Sequence, residues 1–198
     1  MTITDPRRNR AARVLTEVGA PVVVLVAMPL VIALHSANST AAGLGMGLLA
    51  ALFFGIIPFG YVLRGVRLGH WKDHHIGARE QRKPVFLFSL GSMLAGTLIL
   101  VLTGAPRDLI AFLVTLLAEA ALALAVTLVW KISLHTWVST IGATALVVVY
   151  GWGALVLWPI LAGIGWSRVE LRDHTFAQVA AGALLGIAST SVIFPGLR

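Results

Sequence analysis

The chain has no cysteine, which excludes disulfides and thiolate chemistry. Charge is scarce too. Only 12% of the residues are Asp, Glu, Lys or Arg, against about 25% in a soluble domain. Acidic residues are the scarcest, 8 against 15 basic ones. Apolar residues take their place: 58% of the chain is hydrophobic and its mean hydropathy is +0.91, in runs too long for a soluble core. This composition specifies an integral membrane protein of one domain. The net charge of +7 is scattered over short connecting segments. None is long enough to form a soluble basic surface, so no nucleic-acid partner is expected.

About 20 apolar residues cross the hydrocarbon core of a bilayer. Seven apolar segments stand out: 18–34, 41–63, 85–102, 109–130, 133–149, 154–166 and 176–194. The expected fold is therefore all-α, a polytopic transmembrane helical bundle of six to seven spans. The fifth and sixth segments are short and read as a hairpin of abbreviated or tilted helices. Residues 1–15 form a basic arm, and the apolar run after it is longer than a signal-peptide core and reads as a retained first span. The second segment is rich in glycine, at Gly43, Gly45, Gly47 and Gly55, which lets helices approach closely.

With seven spans, 13 of the 15 Lys and Arg residues fall on one side and only Arg107 and Arg198 on the other. The positive-inside rule makes the first side cytoplasmic. The expected location is a plasma (inner) membrane, with the N-terminus in the cytoplasm and membrane lipids as surroundings. Trp71, Trp130, Trp137 and Trp166 fall near the same face, as an interfacial aromatic belt does.

Three polar clusters share that face: residues 71–84, residues 131–135 and residues 167–178. His135 and His174 each stand where an apolar helix begins. A helix N-terminus offers unpaired backbone N–H groups and a positive dipole end, both of which favour anions. Arginine forks match phosphate oxygens. One histidine can attack phosphorus while a second protonates the leaving oxygen near neutral pH.

The third cluster resembles the signature of the type 2 phosphatidic acid phosphatase superfamily, membrane lipid phosphatases related to vanadium haloperoxidases. That signature is Ser-Arg, five residues, His, three residues, Asp. This chain has Ser167-Arg168, five residues, His174, three residues, then Gln178. Of the family's Pro-Ser-Gly-His motif it keeps Ser133 and His135, with Ile132 and Leu134 in the other places. Of its Lys, six residues, Arg-Pro motif it keeps Pro84, with Lys83 for the arginine, Ile76 for the lysine, and Arg79 and Arg82 nearby. The resemblance covers residue 70 onward, with the phosphatase-like core running over 65–198.

The resemblance implies a hydrolase that acts on a lipid phosphate or diphosphate without a metal or other cofactor. His174 would be the nucleophile that forms a phosphohistidine, and His135 the general acid. Arg168, with Arg79, Arg82, Lys83 and Ser133, would hold the phosphate. Gln178 stands where the family has an acid; it would orient the His174 ring without adding charge, or the acidic role would pass to Asp173 or Glu170. A cytoplasmic site makes isoprenoid (di)phosphates the leading substrate class, followed by phosphatidic acid or phosphatidylglycerophosphate. Two other readings stay open. One is a metal-dependent prenyl-diphosphate transferase or cyclase using Asp73, whose neighbours His74 and His75 are possible metal ligands. The other is a lipid-phosphate binder or transporter without turnover. Glu119, near the middle of the fourth segment, is a further ionisable candidate.

Overall fold

The computed structural model describes residues 6–74 and 81–198, with side chains from residue 9 onward. Among the described residues the chain is all-α. Its helices are α1 (Pro6–Val18), α2 (Pro21–Ser36), α3 (Thr40–Ala51), α4 (Ile57–Arg67), α5 (Arg82–Leu102), α6 (Arg107–Val129), α7 (Leu134–Tyr150), α8 (Trp158–Glu170) and α9 (Phe176–Leu197). All seven apolar segments are helical. Five helical stretches have at least 18 residues and are apolar enough to cross a membrane. The pair α1–α2, bent by 42°, makes a sixth. At 17 residues, α7 falls just short of that length. The chain is a multi-pass membrane protein, and exposed side chains such as Leu48, Leu94 and Leu184 are suited to lipid.

The chain divides into two compact units, Met1–Val24 with Ile132–Val192, and Leu25–Lys131 with Ile193–Arg198. In the second unit, α3 and α4 form one long helix joined by a π-helical turn, Leu52–Ile56. Pro58 accounts for the turn. It has no N–H to give the carbonyl of Phe54, and its ring crowds that carbonyl; widening the helix relieves both. The neighbouring Phe53 carbonyl takes the Ser92 hydroxyl of α5 at 2.6 Å. The glycines of this helix do bring helices together: a Cβ on Gly47 would stand 2.7 Å from Leu30 and one on Gly55 2.4 Å from Val26. The C-terminus is tied to the start of α6, where Arg198 pairs with Asp108 at 2.7 Å and Arg107 Nε donates to the Leu197 carbonyl.

Two tryptophans depart from the expected aromatic belt. Trp71 is buried, folded over Gly65 at the end of α4 against Val62, Tyr61, Val66 and Val85. Trp137 is buried on α7. Each fills a packing gap beside a glycine, Gly65 and Gly186, so apolar contact rather than headgroup contact fixes them. Trp130 is exposed, as a belt residue is.

The first unit contains α1, the start of α2, α7, α8 and most of α9. Gly182 and Gly186 of α9 lie against Ser133, Thr136, Trp137 and Thr140 of α7. The contact positions rise together along both helices, so α7 and α9 are parallel and their N-termini lie side by side. Helix α8 runs the other way, with Gly165 against Val179 and Thr136. Helix α1 lies along α8, Thr16 beside Ser167 and Gly19 beside Ile164. The basic arm of the sequence is thus largely a packed helix.

Candidate functional site

Helix α8 runs past the expected end of the sixth apolar segment, so Ser167 and Arg168 sit in its last turn rather than in a loop, and both are buried. The helix closes with a Schellman turn: Asp173 N–H bonds to Arg168 O at 3.1 Å and Arg172 N–H to Val169 O at 3.0 Å. Arg172 takes the left-handed position, φ 59°, where comparable turns in this chain use Gly69 and Gly104. His174 N–H also bonds to Arg168 O, at 3.1 Å. This explains the spacing of the motif. Five residues between Arg168 and His174 are what a helix end and the start of the next helix require. One carbonyl locks the two residues' backbones together.

Helix α9 begins with a capping box. Gln178 N–H bonds to Thr175 Oγ1 at 3.3 Å, and Thr175 N–H to Gln178 Oε1 at 3.2 Å. The backbone donor fixes which atom of the Gln178 amide is oxygen. That oxygen also lies 3.0 Å from His174 Nδ1. An acceptor there requires Nδ1 to carry the proton. The neutral His174 ring therefore has its lone pair on Nε2, the form a nucleophile needs. The Gln178 amide thus meets the His174 ring with an uncharged acceptor. Asp173, another candidate for the acidic role, pairs its Oδ2 with Arg168 Nη2 at 2.9 Å.

The N-terminus of α7 completes the arrangement. Ser133 is its N-cap residue, yet makes no side-chain cap bond. Its N–H reaches Gln178 O at 3.3 Å, joining the two helix starts. Its hydroxyl is fully buried and has no hydrogen-bond partner among the described residues. A buried hydroxyl in that state calls for a ligand or a water. His135 follows in the first turn of α7 and is buried. Thr136 Oγ1 shares its one proton between Ser133 O and Val179 O, stitching α7 to α9. Two helix N-termini and the Arg168 guanidinium give this end of the unit a positive field suited to an anion.

The structure thus brings together His174, Gln178, Arg168, Ser133 and the helix start that bears His135. Arg82 and Lys83 belong to the second unit, at the first turn of α5, where Arg82 is buried and Lys83 exposed. Arg79 lies outside the described residues, as does His75. Asp73 and His74 are exposed, and among the described residues no three His, Asp or Glu side chains are grouped to hold a metal ion. Glu119 is buried on α6. Two participants were absent from the sequence expectations. Thr175 could have been found from the pattern Thr-x-x-Gln ahead of an apolar run. Thr16 carried no local signal. Comparison of the chain with protein-family models, curated proteins and solved structures finds no match.

Proposed function

We propose that this protein is a membrane phosphatase of the type 2 phosphatidic acid phosphatase kind, hydrolysing a lipid phosphate or diphosphate. The observation that carries the reading is the state of His174: its Nδ1–H is held by Gln178 while its backbone is locked to the buried Arg168. In the first step His174 Nε2 attacks phosphorus and a P–N bond forms. The P–O bond to the lipid breaks, and His135 gives its proton to the departing oxygen. In the second step water attacks the phosphohistidine, His135 takes the water's proton, and phosphate leaves. Arg168 and the Ser133 end of α7 stabilise the charge on the transferring group. Residues beside the site suit an alkyl chain, since Phe176 and Val169 are exposed apolar neighbours of His174 and Arg168. We place the site on the cytoplasmic face of a plasma (inner) membrane from the charge asymmetry. On that face isoprenoid (di)phosphates are the leading substrate class.

The test is phosphate release across a panel of isoprenyl mono- and diphosphates, phosphatidic acid and phosphatidylglycerophosphate, wild type beside His174→Ala. Release that the substitution abolishes supports the proposal. A folded wild type that releases nothing from any of them refutes it. The uncharged Gln178 favours one other reading, a lipid-phosphate binder without turnover; binding of labelled lipid phosphate with no release is its signature.

A further inference from the structure

Helix α1 has no part in the chemistry proposed above. Its one deeply buried polar side chain among those described, Thr16, nevertheless touches the Ser167–Arg168 pair. We infer that α1 is a wall of the site and that Thr16 is the positioning residue that aims the Arg168 guanidinium. The inference rests on the phosphate-site reading.

The direction of each hydrogen bond follows from the groups involved. A guanidinium only donates, and a serine hydroxyl has one proton. Ser167 Oγ gives its proton to the Ile164 carbonyl at 2.7 Å. In its contact with Thr16 Oγ1, at 3.0 Å, Ser167 Oγ must therefore accept. The Thr16 proton is used there, so Thr16 Oγ1 accepts from Arg168 Nη1 at 3.3 Å. The chain runs one way, from Arg168 through Thr16 and Ser167 to a backbone carbonyl. These three residues, Arg168, Thr16 and Ser167, are 3%, 3% and 0% exposed. Reversing any link would leave a buried donor facing a donor.

The two ends of the Arg168 fork are held differently. Nη1 is held inside the protein by Thr16. Nη2 is held by Asp173, whose side chain is 47% exposed. An incoming phosphate is an oxyanion like the Asp173 carboxylate and competes with it at Nη2, while Thr16 keeps the fork in its plane. The spacing of α1 and α8 fixes this contact. A Cβ on Gly19 would stand 2.6 Å from Ile164, so the helices meet closely one turn beyond Thr16. Valine has the shape of threonine but no hydroxyl, so Thr16→Val keeps the packing and removes the acceptor. Serine restores the acceptor without the methyl group.

The experiment uses the full chain in lipid nanodiscs, as wild type, Thr16→Val, Thr16→Ser and Thr16→Cys. It measures the unfolding midpoint, the Kd for inorganic phosphate, and KM and kcat for phosphate release from an isoprenyl diphosphate. The Val variant is expected to weaken phosphate binding and raise KM by about tenfold, the scale of one charge-assisted hydrogen bond. The Ser variant should return both to near wild type. Should Thr16→Val not fold, Thr16→Cys keeps the size with a weak acceptor and is expected to lie between wild type and that loss. Wild-type phosphate affinity in Thr16→Val or Thr16→Cys overturns the inference. So does a loss that Ser does not rescue and that follows the unfolding midpoint. A wild type that neither binds nor releases phosphate overturns the phosphate-site reading and this inference together. A wild type that does either, beside an unaltered Val variant, overturns the inference alone.

Discussion

Gln178 accepts two hydrogen bonds with one oxygen, and replacing it by methionine removes both while nearly keeping its volume. The first comes from Thr175 N–H, which is exposed and regains water, so losing the capping box costs about 0.5–1 kcal/mol of stability. The second comes from His174 Nδ1–H, in a residue that is only 8% exposed. A buried donor left without its acceptor costs about 1–3 kcal/mol. The ring can recover part of this by turning or changing tautomer, and either takes the Nε2 lone pair away from phosphorus. Set against the barrier, the same 1–3 kcal/mol is a loss of about 5- to 150-fold in kcat. Gln178→Glu keeps the acceptor and adds a charge. A carboxylate beside His174 favours the imidazolium and raises its pKa. Attack needs the unprotonated ring, so the acid limb of the rate profile should move to higher pH. Phosphate release measured from pH 5 to 9, together with thermal unfolding of all three proteins, checks both effects. A methionine variant with wild-type kcat and a glutamate variant with an unmoved pH profile would refute the assignment of Gln178.

Other expectations follow from the packing. Arg172→Gly relieves a left-handed residue at an exposed helix end and should stabilise the protein by about 0.5–1 kcal/mol, read as a higher unfolding midpoint. Gly186→Ala would bring a methyl group within 2.7 Å of the Trp137 carbonyl and 2.4 Å of Thr140 Oγ1. Because backbone cannot give way locally, a loss of about 1–3 kcal/mol is expected despite the better helix propensity of alanine, with lower activity as the α7 and α9 starts separate. Gly65→Ala puts a Cβ 1.9 Å from the Trp71 ring. The ring must leave its site, which should appear as a shift of tryptophan fluorescence to longer wavelength.

The sequence by itself determined the class and the local chemistry of this protein. Apolar runs of spanning length, with few charges, leave a backbone no alternative to helices in a membrane, and every such run is helical. The Ser-Arg-five-His spacing and the Thr175-x-x-Gln178 pattern are local, because a helix end and the next helix start lie within 12 residues. Those 12 residues, 167–178, set the His174 tautomer almost alone. What tertiary structure decided was the choice among partners. The side-by-side starts of α7 and α9 depend on glycines whose contacts are unreadable until the helices meet. Trp71 and Trp137 read as interfacial residues and turn inward because glycines opposite them leave room. Thr16 lies 151 residues from Ser167 and looks like any helix threonine until α1 packs on α8. Hydrogen bonds to a buried guanidinium are set by which helix lies beside it, and nothing in a linear pattern at that separation states which one that is.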